Sequence, residues 1–89
     1  MNVDLRYSEK ARKDLSDLND KIREWIILKM EFFCFESSPM KHAKALSGDY
    51  QGLYRFRIGE YRVIFSKNAK DKISVLTILR IKHRKEVYS

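Results

Sequence analysis

The sequence has few of the residues that hold small secreted or elongated proteins together. Its 89 residues include one cysteine, one proline and three glycines. A single cysteine excludes an intramolecular disulfide and a zinc site built from several thiolates. The scarcity of proline and glycine excludes a collagen-like or low-complexity chain, so we expect a single domain over residues 1–89 without a linker.

Long hydrophobic runs are also missing. The most apolar stretch, residues 25–35, is interrupted by Lys29 and Glu31 and is too short to cross a bilayer. The N-terminal residues lack the apolar core of a secretory signal peptide. Cys34 lies between two phenylalanines, which favours a buried and unreactive thiol. We therefore expect a protein of the reducing cytoplasm without membrane contact.

Acidic residues are in the minority. Twelve Asp and Glu oppose nineteen Lys and Arg, which gives a formal net charge of +7. This charge favours a nucleic-acid partner, although surplus lysine can also serve solubility alone. No group of His, Cys and Asp has the spacing of a metal site, and no glycine-rich phosphate loop is present, so we expect neither a metal nor a cofactor.

The first half of the chain carries signals for one strand followed by two helices. Residues 2–7 alternate between apolar and polar side chains, which predicts a strand. Ser8 can cap a first helix, and Asn19 can cap a second helix that Pro39 ends. The apolar stripe of this helical hairpin consists of Ala11, Leu15, Leu18, Ile22, Ile26, Met30 and Phe33. Residues 40–52 are turn-prone, and we expect a loop with at most one helical turn.

The second half of the chain carries strand signals. Residues 53–58 and 61–66 alternate, and Gly59 at the first position of the two-residue connection suits a type II′ hairpin. Residues 73–81 predict a central strand with Ile73, Val75, Leu79 and Ile81 toward the core. The predicted fold class is α+β: an N-terminal strand, a two-helix hairpin and an antiparallel three-strand meander, giving a four-stranded sheet.

The predicted hairpin has an apolar face and a cationic face. A two-residue turn pairs Ile58 with Tyr61 and places Arg57 opposite Arg62, so Arg55, Arg57 and Arg62 share the face away from the core. Opposed like charges destabilise such a pair by about 0.2–1 kcal/mol, and a phosphate gripped by guanidinium groups relieves the repulsion. The alternative is a solvated face whose arginines pair with acidic residues, although the sequence places none there.

The end of the chain adds further polar groups. Alternation sends Arg80 and Lys82 toward the hairpin arginines, and Arg84 follows them. His83 and Tyr88 add an imidazole and a phenol, although each taken singly is as compatible with a structural role. RNA cleavage without a metal needs a titratable group beside fixed cations. His83 is the best titratable candidate, and the arginines are assigned to charge stabilisation because a guanidinium group stays charged and cannot readily act as a base.

Two segments of the sequence carry a family resemblance. GLYRFRIGEYRVIF (residues 52–65) and ILRIKHRKEVY (residues 78–88) resemble, in order and spacing, the RelE/ParE superfamily of toxins. The resemblance implies a strand, two helices and a twisted antiparallel sheet. It also implies the activity of the RelE-like mRNA interferases, which cut mRNA in the ribosomal A site, leave a 2′,3′-cyclic phosphate and inhibit translation.

The same resemblance implies roles for individual residues. The expected catalytic residues are Arg62, His83, Tyr88 and Arg80, and the expected RNA-binding residues are Arg55, Arg57, Lys82 and Arg84. Some relatives carry lysine at the positions of Arg55 and Arg57 and use it in proton transfer, a role for which His83 could compensate here. The family's last-strand arginine corresponds to Arg80 or, with a shifted register, to Lys82 or Arg84.

The resemblance also implies partners. A RelB-like antitoxin would wrap the toxin and meet its cationic face with acidic residues. The ribosomal A site with its rRNA and mRNA would be the target, and operator DNA would be bound indirectly, through the antitoxin complex. Two alternatives stay open: a ParE-like inhibitor of DNA gyrase with the same fold, and a catalytically inactive RNA-binding homologue.

Overall fold

The computed structural model describes residues 3–35, 39–70 and 73–87. The elements in chain order are strand β1 (Val3–Tyr7), helices α1 (Glu9–Ser16) and α2 (Asp20–Phe35), a 3-10 turn (Pro39–His42), strand β2 (Ala43–Ala45), a second 3-10 turn (Gly48–Tyr50), strands β3 (Tyr54–Ile58), β4 (Tyr61–Lys70) and β5 (Ile73–His83), and the short helix α3 (Arg84–Val87). None of the helices in these ranges has the length and apolar character needed to cross a lipid bilayer.

The strands form one sheet in the order β1-β5-β4-β3-β2. The predicted α+β layout is confirmed, but the predicted count of four strands is one short. Ala43–Ala45, within the segment expected to be a loop, pairs antiparallel with β3 as an edge strand. Two of its three residues are alanine, so its strand conformation comes from pairing rather than from intrinsic preference.

The two helices form the predicted hairpin with the predicted caps. The Ser8 hydroxyl accepts a hydrogen bond from the Ala11 amide at 3.1 Å, and Asn19 Oδ1 accepts one from the Ile22 amide at 2.9 Å. Arg23 of α2 donates to the Leu15 carbonyl at the end of α1, at 2.9 Å. These bonds satisfy backbone groups that helix ends leave unpaired and fix the angle between the helices.

The core lies between the helices and one face of the sheet. Its fully buried large side chains are Phe56, Phe65, Ile26, Met30, Leu76, Ile78 and Val63. The rings of Phe56 and Phe65 stack with their centroids 4.3 Å apart. Burying one such side chain contributes about 1.5–3 kcal/mol, so this face supplies most of the stability.

The turn between β3 and β4 has the predicted register. Ile58 pairs with Tyr61, and Arg57 pairs with Arg62. Gly59 has a φ of +57°, and a Cβ at this position would lie 2.5 Å from Cη2 of Trp25. Glycine is therefore required for the backbone conformation and for the approach of the α2 indole.

The strand β5 contains an irregularity, so its predicted alternation is wrong up to Leu79, whereas Arg80, Ile81 and Lys82 face as predicted. Ile64 pairs with Arg80, but the next residue, Phe65, pairs with Ile78, so Leu79 is an extra residue. Such a bulge reverses which side chains face the core. Leu76 and Ile78 are buried before it and Ile81 after it, whereas the predicted core residues Val75 and Leu79 are only half-buried. The Ile73 side chain lies outside the described ones.

Candidate nucleic-acid interface

The face of the sheet opposite the helices carries a row of positive side chains. Arg62 pairs with Arg57 on one side and with Lys82 on the other, and Ile64 pairs with Arg55 and Arg80. Directly paired residues project to the same face of a sheet. The cationic face, as we call it, consists of Lys44, Arg55, Arg57, Arg62, Arg80 and Lys82.

Arg62 is the centre of this face. Its side chain is largely shielded, with 8% of the residue exposed, and Nη1 is buried without a hydrogen-bond partner among the described residues. A buried donor without a partner costs about 1–3 kcal/mol, and more when it is charged. The flanking Arg57 and Lys82 add repulsion. The buried guanidinium is therefore poised to donate a hydrogen bond to an anion.

Arg80 is held by an acidic residue that the sequence had not placed there. Its Nε donates to Asp14 Oδ2 at 2.9 Å and its Nη2 to Asp14 Oδ1 at 3.3 Å. The Ile81 amide also donates to Asp14 Oδ2, at 2.9 Å. Burial alone would raise the pKa of Asp14, but these bonds and the charges of Arg80 and Lys82 hold it below its ordinary value. The expectation that no acidic residue reaches this face is thus wrong.

Arg84 lies at the edge of the interface, beside the hairpin turn. Its amide donates to the Glu60 carbonyl at 2.7 Å, and Nη1 lies 3.6 Å from Glu60 Oε2. Both side chains are more than half exposed, so this ion pair contributes little to stability. The contact places the start of α3 against the turn.

His83 lies on the other face of the sheet. It pairs with Tyr61, which packs against the core, and the two rings meet edge to face with centroids 5.2 Å apart. Its Nδ1 accepts a hydrogen bond from the Lys85 amide at 3.2 Å, so a neutral ring carries its proton on Nε2. The structure does not bring His83 onto the cationic face. Tyr88, also predicted to be catalytic, lies outside the described residues.

An open pocket of about 570 Å³ adjoins the cationic face. We call it the Tyr50 pocket; its lining includes residues 8–10 before and within α1, and Tyr50, Leu53, Ile64, Leu79, Arg80 and Lys82. Ile64 is nearly buried and forms an apolar part of the wall, whereas Tyr50 is 47% exposed. The pocket thus joins an apolar surface and an aromatic ring to two residues of the cationic face.

Residues 5–88 match the family model described as the ParE toxin of the type II toxin-antitoxin system parDE. The chain belongs to the RelE/ParE toxins. It is 27% identical over 88 residues to Toxin RelG of Mycobacterium tuberculosis, covering 99% of this chain and 98% of that one. The fold resembles a chain of the RelBE2 toxin-antitoxin complex of M. tuberculosis, with a TM-score of 0.74 and 26% identity over 94% of this chain and 100% of that chain.

A structure from an archaeon shows the same similarity in fold and sequence. A chain of the RelE-RelB complex from Pyrococcus horikoshii is 31% identical and superposes with a TM-score of 0.68, covering 94% of this chain and 97% of that one. Family membership thus agrees with the resemblance seen in the two sequence segments. The chain is a RelE/ParE toxin of the type II toxin-antitoxin class.

Two side chains of this RelE/ParE toxin's interface were not predicted from the sequence. Lys44 joins the cationic face because β2 pairs Lys44 with Arg55, and β2 itself carried no strand signal. Tyr50 lies in a segment with only turn signals, where one aromatic residue among small polar neighbours was the available clue. Both omissions arise from the segment between α2 and β3, whose conformation depends on pairing with the sheet.

Proposed function

We propose that this toxin is a ribosome-dependent endoribonuclease that cuts mRNA in the A site, without a metal, and inhibits translation in the cytoplasm. The observation that carries the proposal is Arg62, a buried guanidinium between Arg57 and Lys82 whose Nη1 has no partner within residues 3–35, 39–70 and 73–87. A phosphate oxygen is the natural acceptor for such a group. Similarity to chains of RelBE toxin-antitoxin complexes supports the choice of the RelE-like activity.

The chemistry of the cut explains why cations are concentrated here. Attack of a ribose 2′-oxygen on the adjacent phosphate forms a 2′,3′-cyclic phosphate and releases the 5′-oxygen of the next nucleotide. The phosphorane that forms on the way carries added negative charge, and preorganised donors stabilise it more than they stabilise the substrate. We assign this role to Arg62, with Arg55, Arg57 and Lys82 holding the RNA backbone.

Proton transfer needs a different kind of residue. Arginine does not titrate near neutral pH, so a base for the 2′-hydroxyl and an acid for the leaving oxygen must come from other groups. His83 and Tyr88 remain the predicted candidates. Because His83 packs against Tyr61 on the helix side, we expect its loss to matter less than the loss of Arg62.

The proposed function includes an antitoxin partner. Solved structures similar to this chain come from RelB-RelE complexes, such as that of Methanococcus jannaschii. Helix α2 exposes an apolar stripe formed by Trp25, Leu28, Phe32 and Phe35, of which Leu28 is 65% and Phe35 91% exposed. The spacing of three, four and three residues fits an amphipathic partner helix. We infer that a RelB-like antitoxin covers this stripe, reaches the cationic face with acidic residues, and links the pair to operator DNA.

The decisive experiment uses programmed ribosomes and a defined mRNA. We expect purified toxin to cut in the A-site codon, mapped by primer extension, and to leave naked mRNA intact. Arg62→Met should abolish the cut, since methionine keeps the apolar volume but removes the charge. Lys29→Met is the matched control, because Lys29 is an exposed cation on α2, away from the cationic face. Loss of cutting in both variants, or in neither, would contradict the assigned role of Arg62.

A second candidate is inhibition of DNA gyrase. Two observations favour it: the matching family model describes ParE toxins, and His83 lies away from the cationic face. The same toxin preparation is therefore added to a gyrase supercoiling assay. Blocked supercoiling together with intact mRNA would replace the nuclease proposal with this one.

A further inference from the structure

The Tyr50 pocket and the cationic face form one continuous surface. Arg80 and Lys82 belong to both, and Ile64 lies in register between Arg55 and Arg80. A strand of RNA whose phosphate lies at Arg62 would therefore have the pocket directly beside it. Its volume of about 570 Å³ falls within the range of about 300–1,000 Å³ in which proteins bind small ligands.

Tyr50 presents its ring from a turn held by backbone hydrogen bonds. The Tyr50 amide donates to the Ser47 carbonyl at 3.3 Å, and the Leu53 amide donates to the Tyr50 carbonyl at 3.0 Å. The Leu46 amide in turn donates to the Leu53 carbonyl at 2.9 Å, which ties the turn to the strands beside it. The backbone that carries this half-exposed ring is therefore constrained before any ligand arrives, so binding loses little backbone entropy.

We propose that the Tyr50 pocket receives one unpaired base of the RNA substrate, which stacks on the Tyr50 ring while Arg80 and Lys82 contact the adjoining phosphates. This inference rests on the proposed function and specifies how the same site holds its substrate. Proteins that bind single-stranded RNA combine a cationic groove with aromatic rings on which bases stack. An acidic peptide would use the cations alone and would leave the ring and the apolar wall formed by Ile64 without a role.

The test measures binding separately from cutting. The probe is a fluorescein-labelled hexanucleotide RNA with 2′-O-methyl riboses, which lacks the attacking hydroxyl and stays intact, and affinity is read from fluorescence anisotropy. Tyr50→Ala should weaken binding roughly five- to a hundredfold, the usual contribution of one stacked base, and Tyr50→Phe should bind like the wild type. On a matched oligonucleotide without bases, wild type and Tyr50→Ala should bind equally. Phe32→Ala is the control for RNA binding alone, since Phe32 is a similarly exposed ring on the helix side, away from the cationic face.

Four outcomes would overturn the inference. Unchanged RNA binding by Tyr50→Ala, while Lys82→Met weakens it, would remove the pocket but leave the nuclease proposal intact. An equal loss on the oligonucleotide without bases would show that Tyr50 does not contact a base. Unchanged RNA binding with weakened binding of the cognate antitoxin would assign the pocket to that protein. A wild-type toxin that neither binds the RNA nor cuts mRNA would refute the nuclease proposal together with this one.

Discussion

The two faces of the sheet are built on opposite principles, although both arise from the same strands. The helix side buries phenylalanines and aliphatic residues that stack at distances such as 4.3 Å between Phe56 and Phe65. The cationic face sets Arg57, Arg62 and Lys82 next to one another, and one buried guanidinium nitrogen of Arg62 has no partner in the described part of the chain. One face stabilises the fold and the other lowers its stability, which is expected where function requires a preorganised charge.

The largest effect on stability should come from removing a core side chain on the helix side of the sheet. Phe56→Ala removes a fully buried ring and should lower the free energy of unfolding by about 3–5 kcal/mol, a large part of what a small domain possesses. Phe32→Ala removes an exposed ring of the same kind and should change it by no more than about 0.5 kcal/mol. Urea denaturation of both variants gives the comparison, and equal losses would contradict the assignment of Phe56 to the core and of Phe32 to the surface.

Arg62→Met should act in opposite directions on activity and stability. Removing the buried charge should lower the rate of ribosome-dependent cutting by about a hundredfold or more. In other enzymes the loss of one preorganised hydrogen-bond donor to the transition state has an effect of this size. The same change should raise the free energy of unfolding by about 1–3 kcal/mol, because a donor without a partner disappears. Thermal unfolding and single-turnover cutting test the two halves, and a less stable variant would show that Arg62 has a partner in solution.

Phosphate binding gives a second test of the difference between the cationic face and the helix side. Added inorganic phosphate should raise the Tm of the wild type by mass action, since it can bind the folded cationic face. Phosphate also stabilises proteins generally by exclusion from their surfaces, so the relevant quantity is the difference between wild type and Arg62→Met. We expect the wild type to gain more. Identical gains across the titration would remove the cationic face as a phosphate site.

Gly59→Ala tests the close contact between the β3–β4 turn and the Trp25 ring of α2. Alanine disfavours the positive φ of this residue, and its Cβ would collide with Trp25. We expect a loss of about 1–3 kcal/mol in the free energy of unfolding, measured by denaturation. Combining it with Trp25→Ala should relieve the steric part, so the double variant should lose less than the sum of the two single losses.

The smallest effect should follow from Asp14→Asn, and it should depend on pH. The pKa of Asp14 is lowered in the folded protein, so its carboxylate stabilises the fold above the unfolded pKa of about 3.9 and ceases to do so as pH falls through the folded value. The variant should therefore melt a few degrees below the wild type at pH 7, and the gap should narrow below about pH 4. A gap that is constant from pH 7 to pH 3 would exclude the charge as its cause.

The parts of the fold that the sequence predicted are those determined by local geometry. A two-residue turn with Gly59 leaves one register for β3 and β4, and with it the shared face of Arg57 and Arg62. The caps Ser8 and Asn19 act on helix ends within three residues of themselves. In each case the partner is close along the chain, so residue type and spacing were sufficient.

The parts that were missed depend on residues far apart in the sequence. The bulge at Leu79 reverses the facing of β5, and nothing within that strand signals it. Asp14 lies 66 positions before Arg80 in the sequence and accepts a hydrogen bond from it. The cationic face was expected to lack acidic residues, but this contact pairs one of its arginines with a carboxylate. His83 is a different case: it was grouped with its cationic neighbours in sequence, although the alternation that places Ile81 toward the core also directs His83 toward Tyr61.

The parallel pairing of β1 with β5 has a consequence for how the toxin is made. β1 is the first strand to leave the ribosome, and its partner is the last, with Val3 opposite Ser74 and Tyr7 opposite Ile78. Helix α1 contributes Asp14 to the same late strand. The cationic face likewise lacks Arg80 and Lys82 until then. A nascent chain therefore cannot complete either its sheet or its cationic face until β5 has left the ribosome.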